Sequence, residues 1–311
     1  MTQMLTPNGA PVSRLCFGTM QFGGNADIVA SQSMYEDSRA AGINFFDTAY
    51  VYTGGQSEAM LGRFAAKERD DILIATKAAY DKPATKENVL ASFEESRMRM
   101  NIDTVDLMYL HRFDPETPLQ DSFEALAELR EDGLIRYIGI SNFAAWQVMK
   151  AAQIARSLGV TVDMLQPMYS LVKRQAEVEL LPACHDQGIA VVPYSPLGGG
   201  LLTGKYATPG GTGRLSEDSR YTARYNVDWM HEAAAALPQI AADHGTEAAT
   251  LAVAWVMKNR HVTAPIISAR SSEQLAPSLA ALDFEMDDTL YAEVTALSQT
   301  PAPATDRLEE A

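Results

Sequence analysis

Gly42-Ile43-Asn44-Phe45-Phe46-Asp47-Thr48-Ala49-Tyr50-Val51-Tyr52 is the stretch from which the fold is read. Gly42 is a helix-stop residue, and the apolar run 43–46 after it has the pattern of a short buried strand. The run ends on the carboxylate of Asp47. Tyr52 follows five residues later, just before Thr53-Gly54-Gly55, a turn signal. A charged group at the end of a buried strand costs free energy unless something pairs with it. Its partner is therefore sought at the ends of other strands.

Working outward, the same unit recurs. Upstream, residues 1–13 alternate weakly around Pro7-Asn8-Gly9 and predict an N-terminal hairpin. Residues 14–17 predict a strand ending in Gly18-Thr19-Met20, and 28–41 a helix that Gly42 stops. Downstream, further strands are expected at 72–76, 105–110, 134–140, 162–165, 189–193 and 262–267. Helices are expected between them at 56–66, 85–100, 118–132, 144–158 and 176–187. Ser57 is a plausible cap for the first of these and Thr85 for the second. Pro118 at the start and Gly133 just past the end frame the third. A long Gly-rich loop is expected over 196–226, then helices at 227–244, 247–259, 272–282 and 287–297, and a loose polar tail from about 301.

Eight strands, each followed by helical sequence, argue for a parallel sheet, and eight such units for a closed (β/α)8 barrel of the TIM type. The chain has 311 residues and no composition break, which suits one domain over 1–311. A doubly wound open sheet is the structural competitor, but no Gly-x-Gly-x-x-Gly follows the first strand. Net charge is −15, which disfavours nucleic acid and anionic membranes as partners. Two cysteines, Cys16 and Cys184, make no disulfide framework and suit a reducing compartment. With no signal-peptide pattern and no membrane-length apolar run, a cytoplasmic protein is expected.

A barrel gathers its strand ends on one rim. Here those ends bear Asp47, Lys77, His111, Ser141, Asn142, Gln166, Tyr194 and Ser195. Asp47 and Lys77 close neighbouring strands and can pair. An ammonium beside a phenol favours the phenolate, so Lys77 is expected to lower the Tyr52 pKa. His111 can donate a hydrogen bond to a substrate oxygen. The set describes a tuned proton donor beside a carbonyl-binding donor, with no hydride source of its own. Taken singly, each has an ordinary reading: a capping Asp, a rim Tyr, a snorkelling Lys, a structural His. Four at successive strand ends are harder to dismiss. No ligand spacing suggests a metal.

These residues resemble the aldo-keto reductase family. Asp47-Thr48-Ala49-Tyr50-Val51-Tyr52 with Ser57-Glu58 resembles its Asp–Tyr signature, Ala75-Thr76-Lys77 its lysine strand, and Asp106-Leu107-Met108-Tyr109-Leu110-His111 its histidine strand. Gly139-Ile140-Ser141-Asn142-Phe143, Gln166-Pro167-Met168-Tyr169-Ser170-Leu171 and Tyr194-Ser195-Pro196-Leu197 resemble its nicotinamide-site segments. Leu201-Leu202-Thr203-Gly204-Lys205 resembles the loop over the pyrophosphate, and residues 267–275 the loop for the 2′-phosphate. The resemblance implies NADPH as cofactor, with NADH possible, and a small carbonyl substrate. It implies Tyr52 as proton donor, tuned by Lys77 and Asp47, with His111 orienting the carbonyl. Thr19, Met20, Asp47, Ser141, Asn142, Gln166, Tyr194, Ser195, Leu197, Lys205, Ser268, Arg270 and Gln274 are the cofactor contacts it implies. The family often has glycine where Ser268 stands and asparagine where Ser278 stands, so the margin of NADP over NAD stays open.

Phe22, Tyr50, Phe113 and residues 221–229 are candidates for an apolar substrate mouth. Two rival functions remain. One is a cofactor-sensing regulatory subunit of the same fold, as in potassium-channel β subunits. The other is a lyase using Lys77 as Schiff-base nucleophile, which requires a neutral lysine.

Overall fold

Strands and helices alternate as the apolar runs and caps dictate. The structure, a computed structural model, describes residues 3–207, 213–307 and 309. In chain order the strands are β1 (Cys16–Gly18), β2 (Phe45–Asp47), β3 (Leu73–Ala78), β4 (Val105–Leu110), β5 (Ile135–Ser141), β6 (Met164–Gln166), β7 (Ala190–Val191) and β8 (Ile266–Ile267). The helices are α1 (Ile28–Ala40), α2 (Gln56–Ala65), α3 (Lys86–Met100), α4 (Leu119–Glu131), α5 (Ala145–Ser157), α6 (Leu180–Gln187), α7 (Arg214–Glu217), α8 (Ser219–Tyr225), α9 (Asp228–Asp243), α10 (Ala248–Lys258), α11 (Ser272–Leu279) and α12 (Asp288–Ala296).

All strand pairs are parallel, in the order β7-β6-β5-β4-β3-β2-β1-β8. The two ends of that order meet. Thr263 N–H donates to the Val191 carbonyl (2.8 Å), Ile266 N–H to the Pro193 carbonyl (2.8 Å), and Tyr194 bridges Ile266 in parallel. The sheet is thus the (β/α)8 barrel read from the alternation. Strands β7 and β8 are shorter than their apolar runs because Pro193 and Pro265 have no N–H to give the ladder.

Side chains alternate along each strand, so every second residue points inward. The barrel interior is filled by Met4, Cys16, Phe45, Leu73, Ala75, Leu107, Tyr109, Met164, Ala190, Val192, Ala264 and Ile266. Gly139 leaves room for the Tyr109 ring: a Cβ there would stand 2.3 Å from Tyr109 Cδ1. The opposite faces pack under the helices in one large apolar cluster.

The N-terminal hairpin is reduced to one antiparallel bridge, Leu5 with Pro11. It closes the bottom of the barrel, where the Tyr137 hydroxyl accepts from Leu5 N–H at 3.1 Å. Thr85 caps α3 by accepting from Asn88 N–H, and Pro118 and Gly133 frame α4 as expected. Two expectations change. Ser57 does not cap α2, which starts behind Gly55 at φ 90°. The 196–226 loop is built of short helical turns, including α7 and α8, with residues 208–212 outside the described part.

Candidate active site at the barrel rim

Period two decides what reaches the site. Phe45 and Asp47 share a face of β2, as do Leu73, Ala75 and Lys77 on β3, and Leu107 and Tyr109 on β4, with His111 next in that series. Each polar residue is therefore the next inward position above an apolar core residue. Gln166 likewise stands two residues beyond Met164 and Tyr194 two beyond Val192, while Ser141 stands two beyond Gly139.

Lys77 is fully buried. Its ammonium donates to the Asp47 carboxylate, to the Thr48 carbonyl at 2.7 Å and to the Tyr52 hydroxyl at 3.3 Å. Gln166 donates to the other Asp47 oxygen at 2.9 Å. Burial works against a charged lysine, but the Asp47 carboxylate and the Tyr52 hydroxyl outweigh it and raise the Lys77 pKa. Lys77 is thus held as an ammonium, the wrong form for a Schiff-base nucleophile.

Tyr52 departs from the sequence reading. Burial pushes its pKa above the ordinary value, and the nearby Lys77 charge only partly offsets this. Tyr52 is a phenol with a proton to give. His111, 7 % exposed, meets the Tyr52 ring edge-on, with centroids 5.8 Å apart. Burial, with the Lys77 and Arg112 charges, drives its pKa down to about 2, so the imidazole is neutral. Its Nδ1 is buried without a hydrogen-bond partner.

The loop bearing Tyr52 is tied down by residues the strand-end reading did not single out. The Ser57 hydroxyl donates to the Thr19 carbonyl (2.9 Å) and shares hydrogen bonds with the hydroxyls of Thr19 (2.7 Å) and Thr48 (2.8 Å). Buried Glu58 accepts from Thr76 at 2.7 Å and from Arg99 at 3.0 Å. Arg99 also donates to the Tyr50 carbonyl at 2.8 Å. A signal was present, since Ser57-Glu58 follows the glycine turn by one residue, but its partners lie just past β1 and β2, on β3 and on α3.

The residues expected to meet a cofactor follow strands β1, β2, β5, β6, β7 and β8 or lie in the loops beyond them. Ser141 donates to the Gln166 carbonyl at 2.9 Å. Asn142 donates to the His111 carbonyl at 2.9 Å and accepts from the Tyr194 hydroxyl at 2.7 Å. Thr19 is fully buried and Met20 half-buried beside it. The Leu197 carbonyl accepts from Gly200 and Leu202 and so shapes the glycine turn. The Lys205 ammonium lies 4.9 Å from the Tyr206 ring centre. Further along, Arg270 donates to Glu217 of α7 at 3.1 Å, and its N–H donates to the Gln274 side chain at 3.3 Å. The hydroxyls of Ser268 and Ser272 are buried without partners.

Backbone strain marks the same rim. Thr53, Ala79, Asn142 and Ser195 have φ between 48° and 62°, a region costly to residues with a Cβ. They follow strands β2, β3, β5 and β7, and such outliers persist where the surroundings impose them. Of the mouth candidates, Phe22 is fully buried against Phe17 and Phe64, so it is core. Phe113 packs on Phe143 and Trp146, and Trp229 on the outer apolar cluster. Tyr50 is held by Glu95 and Lys82. Tyr80, whose ring centre is 4.7 Å from that of His111, was not foreseen.

The model of the Aldo/keto reductase family matches residues 14–299. The chain is 32% identical over 302 residues to "Uncharacterized oxidoreductase YrpG" of Bacillus subtilis (strain 168), covering 90% of each. It is 31% identical over 296 residues to "Probable voltage-gated potassium channel subunit beta" of Oryza sativa subsp. japonica, covering 89% of each. It is also 32% identical over 300 residues to "Aflatoxin B1 aldehyde reductase member 2" of Rattus norvegicus, covering 89% of this chain and 82% of that one. The chain therefore belongs to the aldo/keto reductase family, as an NAD(P)H-dependent oxidoreductase.

Proposed function

We propose that this protein reduces aldehydes and ketones to alcohols with NADPH, Tyr52 giving the carbonyl oxygen its proton. The observation that supports this most is the buried Lys77 ammonium, anchored on Asp47 and standing 3.3 Å from the Tyr52 hydroxyl. The phenol keeps its proton until negative charge develops on the carbonyl oxygen. At that moment the fixed ammonium stabilises the phenolate left behind, without reorganisation. Neutral His111 hydrogen-bonds the same oxygen and orients it. Asp47 and Gln166 keep the ammonium charged and aimed.

The residues expected to meet a cofactor suit a dinucleotide. Two orphaned buried hydroxyls, Ser268 and Ser272, stand beside Arg270, a donor set suited to a phosphate. Gln274 and the 267–275 loop take the adenosine end, and Lys205 the pyrophosphate. Ser141, Asn142 and Gln166 would hold the carboxamide, Ser195 and Leu197 would shape the loop beside it, and Tyr194 would offer the nicotinamide an aromatic face. Thr19 and Met20 complete the wall. Nicotinamide bound there supplies the hydride. NADH makes all the same contacts except those to the 2′-phosphate and serves as the weaker cofactor.

The test is NADPH oxidation over a panel of aldehydes and ketones, repeated with NADH. Turnover with NADPH above NADH is expected. Tight NADPH binding with no turnover across the panel would instead favour a cofactor-sensing role, the reading that the similarity to a potassium-channel subunit supports.

A further inference from the structure

His111 is only 7 % exposed although it stands at the barrel rim, and the residue packed on it, Tyr80, is 41 % exposed. Their ring centres lie 4.7 Å apart, against 5.8 Å for His111 and Tyr52. Solvent therefore meets the Tyr80 ring before the imidazole. The backbone is bent to put that ring there. His111 N–H donates to the carbonyl of Ala78, the last residue of β3, at 2.8 Å. The next residue, buried Ala79, takes φ 62°, a conformation costly to a residue with a Cβ. That turn returns Tyr80 to the residue its own strand holds. The Arg112 guanidinium, 5.1 Å from the Tyr80 ring centre, adds a cation–π contact. The contacts that place Tyr80 are thus made by its ring.

The surroundings of His111 offer nothing to a positive charge. Its Nδ1 is buried without a partner. A charged imidazole donates from both nitrogens, so an imidazolium here would carry a buried N–H with nothing to accept it, which is costly. The charged groups whose fields reach the ring, Lys77 of β3 and the adjacent Arg112, are both cations, and among the described residues no carboxylate opposes them. Tyr52, beside the ring, keeps its proton. Asn142, bonded to the His111 carbonyl, is neutral, and so is Tyr194, bonded to Asn142. Solvation by water is what would offset the two cations, and Tyr80 stands on the side that faces solvent.

We propose that Tyr80 is a positioning residue of the reaction: turned onto His111 by the strained Ala79, it keeps water off the imidazole, so that His111 meets the carbonyl as a neutral donor even in mildly acid solution. This rests on the reductase reading above. An imidazolium would stand beside the Lys77 ammonium as a like charge. It would also be a stronger acid than the phenol and would compete with Tyr52 to give the proton. By holding the ring neutral, Tyr80 leaves that transfer to Tyr52.

The experiment follows the five imidazoles by nuclear magnetic resonance from about pH 5 to 8 without cofactor, His111→Gln identifying the His111 signal. Beside it, the pH profile of kcat/KM is measured with NADPH and an aldehyde. In the wild type His111 should not titrate over that range. Tyr80→Ala, a change at a part-exposed residue, should bring the His111 pKa up to between about 5 and 6.5, and kcat/KM should gain an ionisation at the same pH. Tyr80→Phe keeps the ring and should hold the His111 pKa where the wild type does. A His111 that stays neutral in Tyr80→Ala, or one that titrates in the wild type, would overturn the inference and leave the reductase reading standing. So would a fall in kcat/KM that is equal at every pH, because Tyr80 would then act on the substrate alone. Aldehydes left unreduced by the wild type at every pH would overturn the reductase reading, and the role of Tyr80 in the reaction with it.

Discussion

Replacing Lys77 by Met removes one half of a buried ion pair while nearly keeping the side-chain volume. Lys77 is 0 % exposed and Asp47 2 %. In the variant Asp47 retains only the Gln166 amide at 2.9 Å as a side-chain donor. Breaking a buried pair from one side costs about 3–5 kcal/mol, because the remaining charge is uncompensated. The cost depends on pH, and the sign follows from burial. Without the ammonium, burial raises the Asp47 pKa further above its unfolded value. A carboxyl with a raised folded pKa contributes stability below its unfolded pKa and loses it as pH rises through the folded one. The loss should thus be larger at pH 7 than at pH 4. The double variant Lys77→Met, Asp47→Asn has no buried charge left and should recover much of it. Urea unfolding followed by fluorescence and by circular dichroism gives the free energies, with unchanged m-values as the check. A single-variant loss under about 1 kcal/mol, or a double-variant loss equal to the sum of the singles, would refute the reasoning.

Two further outcomes follow from the geometry. His111 is neutral in the folded chain, with a pKa near 2, and titrates normally when unfolded. Its contribution is present above the unfolded pKa and lost as pH falls, by about 1.4 kcal/mol per pH unit below roughly 6.5. His111→Gln should flatten the acid limb of stability by about one proton, and an unchanged slope would show the imidazole is not held neutral. Arg99→Met leaves buried Glu58 without its cation and frees the Tyr50 carbonyl. We expect about 3 kcal/mol of lost stability by urea unfolding, and a wild-type midpoint would argue against the clamp on the Tyr52 loop.

The barrel was legible because short apolar runs and helix-stop glycines recur along the whole chain, and period two then places each strand-end polar group inside. Strand lengths were less legible at β7 and β8, where Pro193 and Pro265 interrupt hydrogen bonding inside apolar runs. Asp47, Lys77, Tyr52 and His111 were readable as strand-end chemistry. The phenol's raised pKa was not, because burial is a property of the closed barrel. Ser57 read as a cap because a hydroxyl next to a glycine turn has that local signature. Its actual partners, Thr19 and Thr48, are brought in by β1 and β2. Tyr80 follows β3 and meets His111 from the end of β4, so no spacing in the chain announces it.

The most direct measurement is the turnover of Tyr52→Phe beside its affinity for NADPH. The substitution deletes one hydroxyl and leaves Lys77 with Asp47 and the Thr48 carbonyl. The account predicts kcat lower by about 10²–10⁴, the usual range for losing a general acid, with NADPH quenching tyrosine and tryptophan fluorescence at nearly the wild-type concentration. Turnover within severalfold of wild type would contradict it, because the proton would then come from elsewhere.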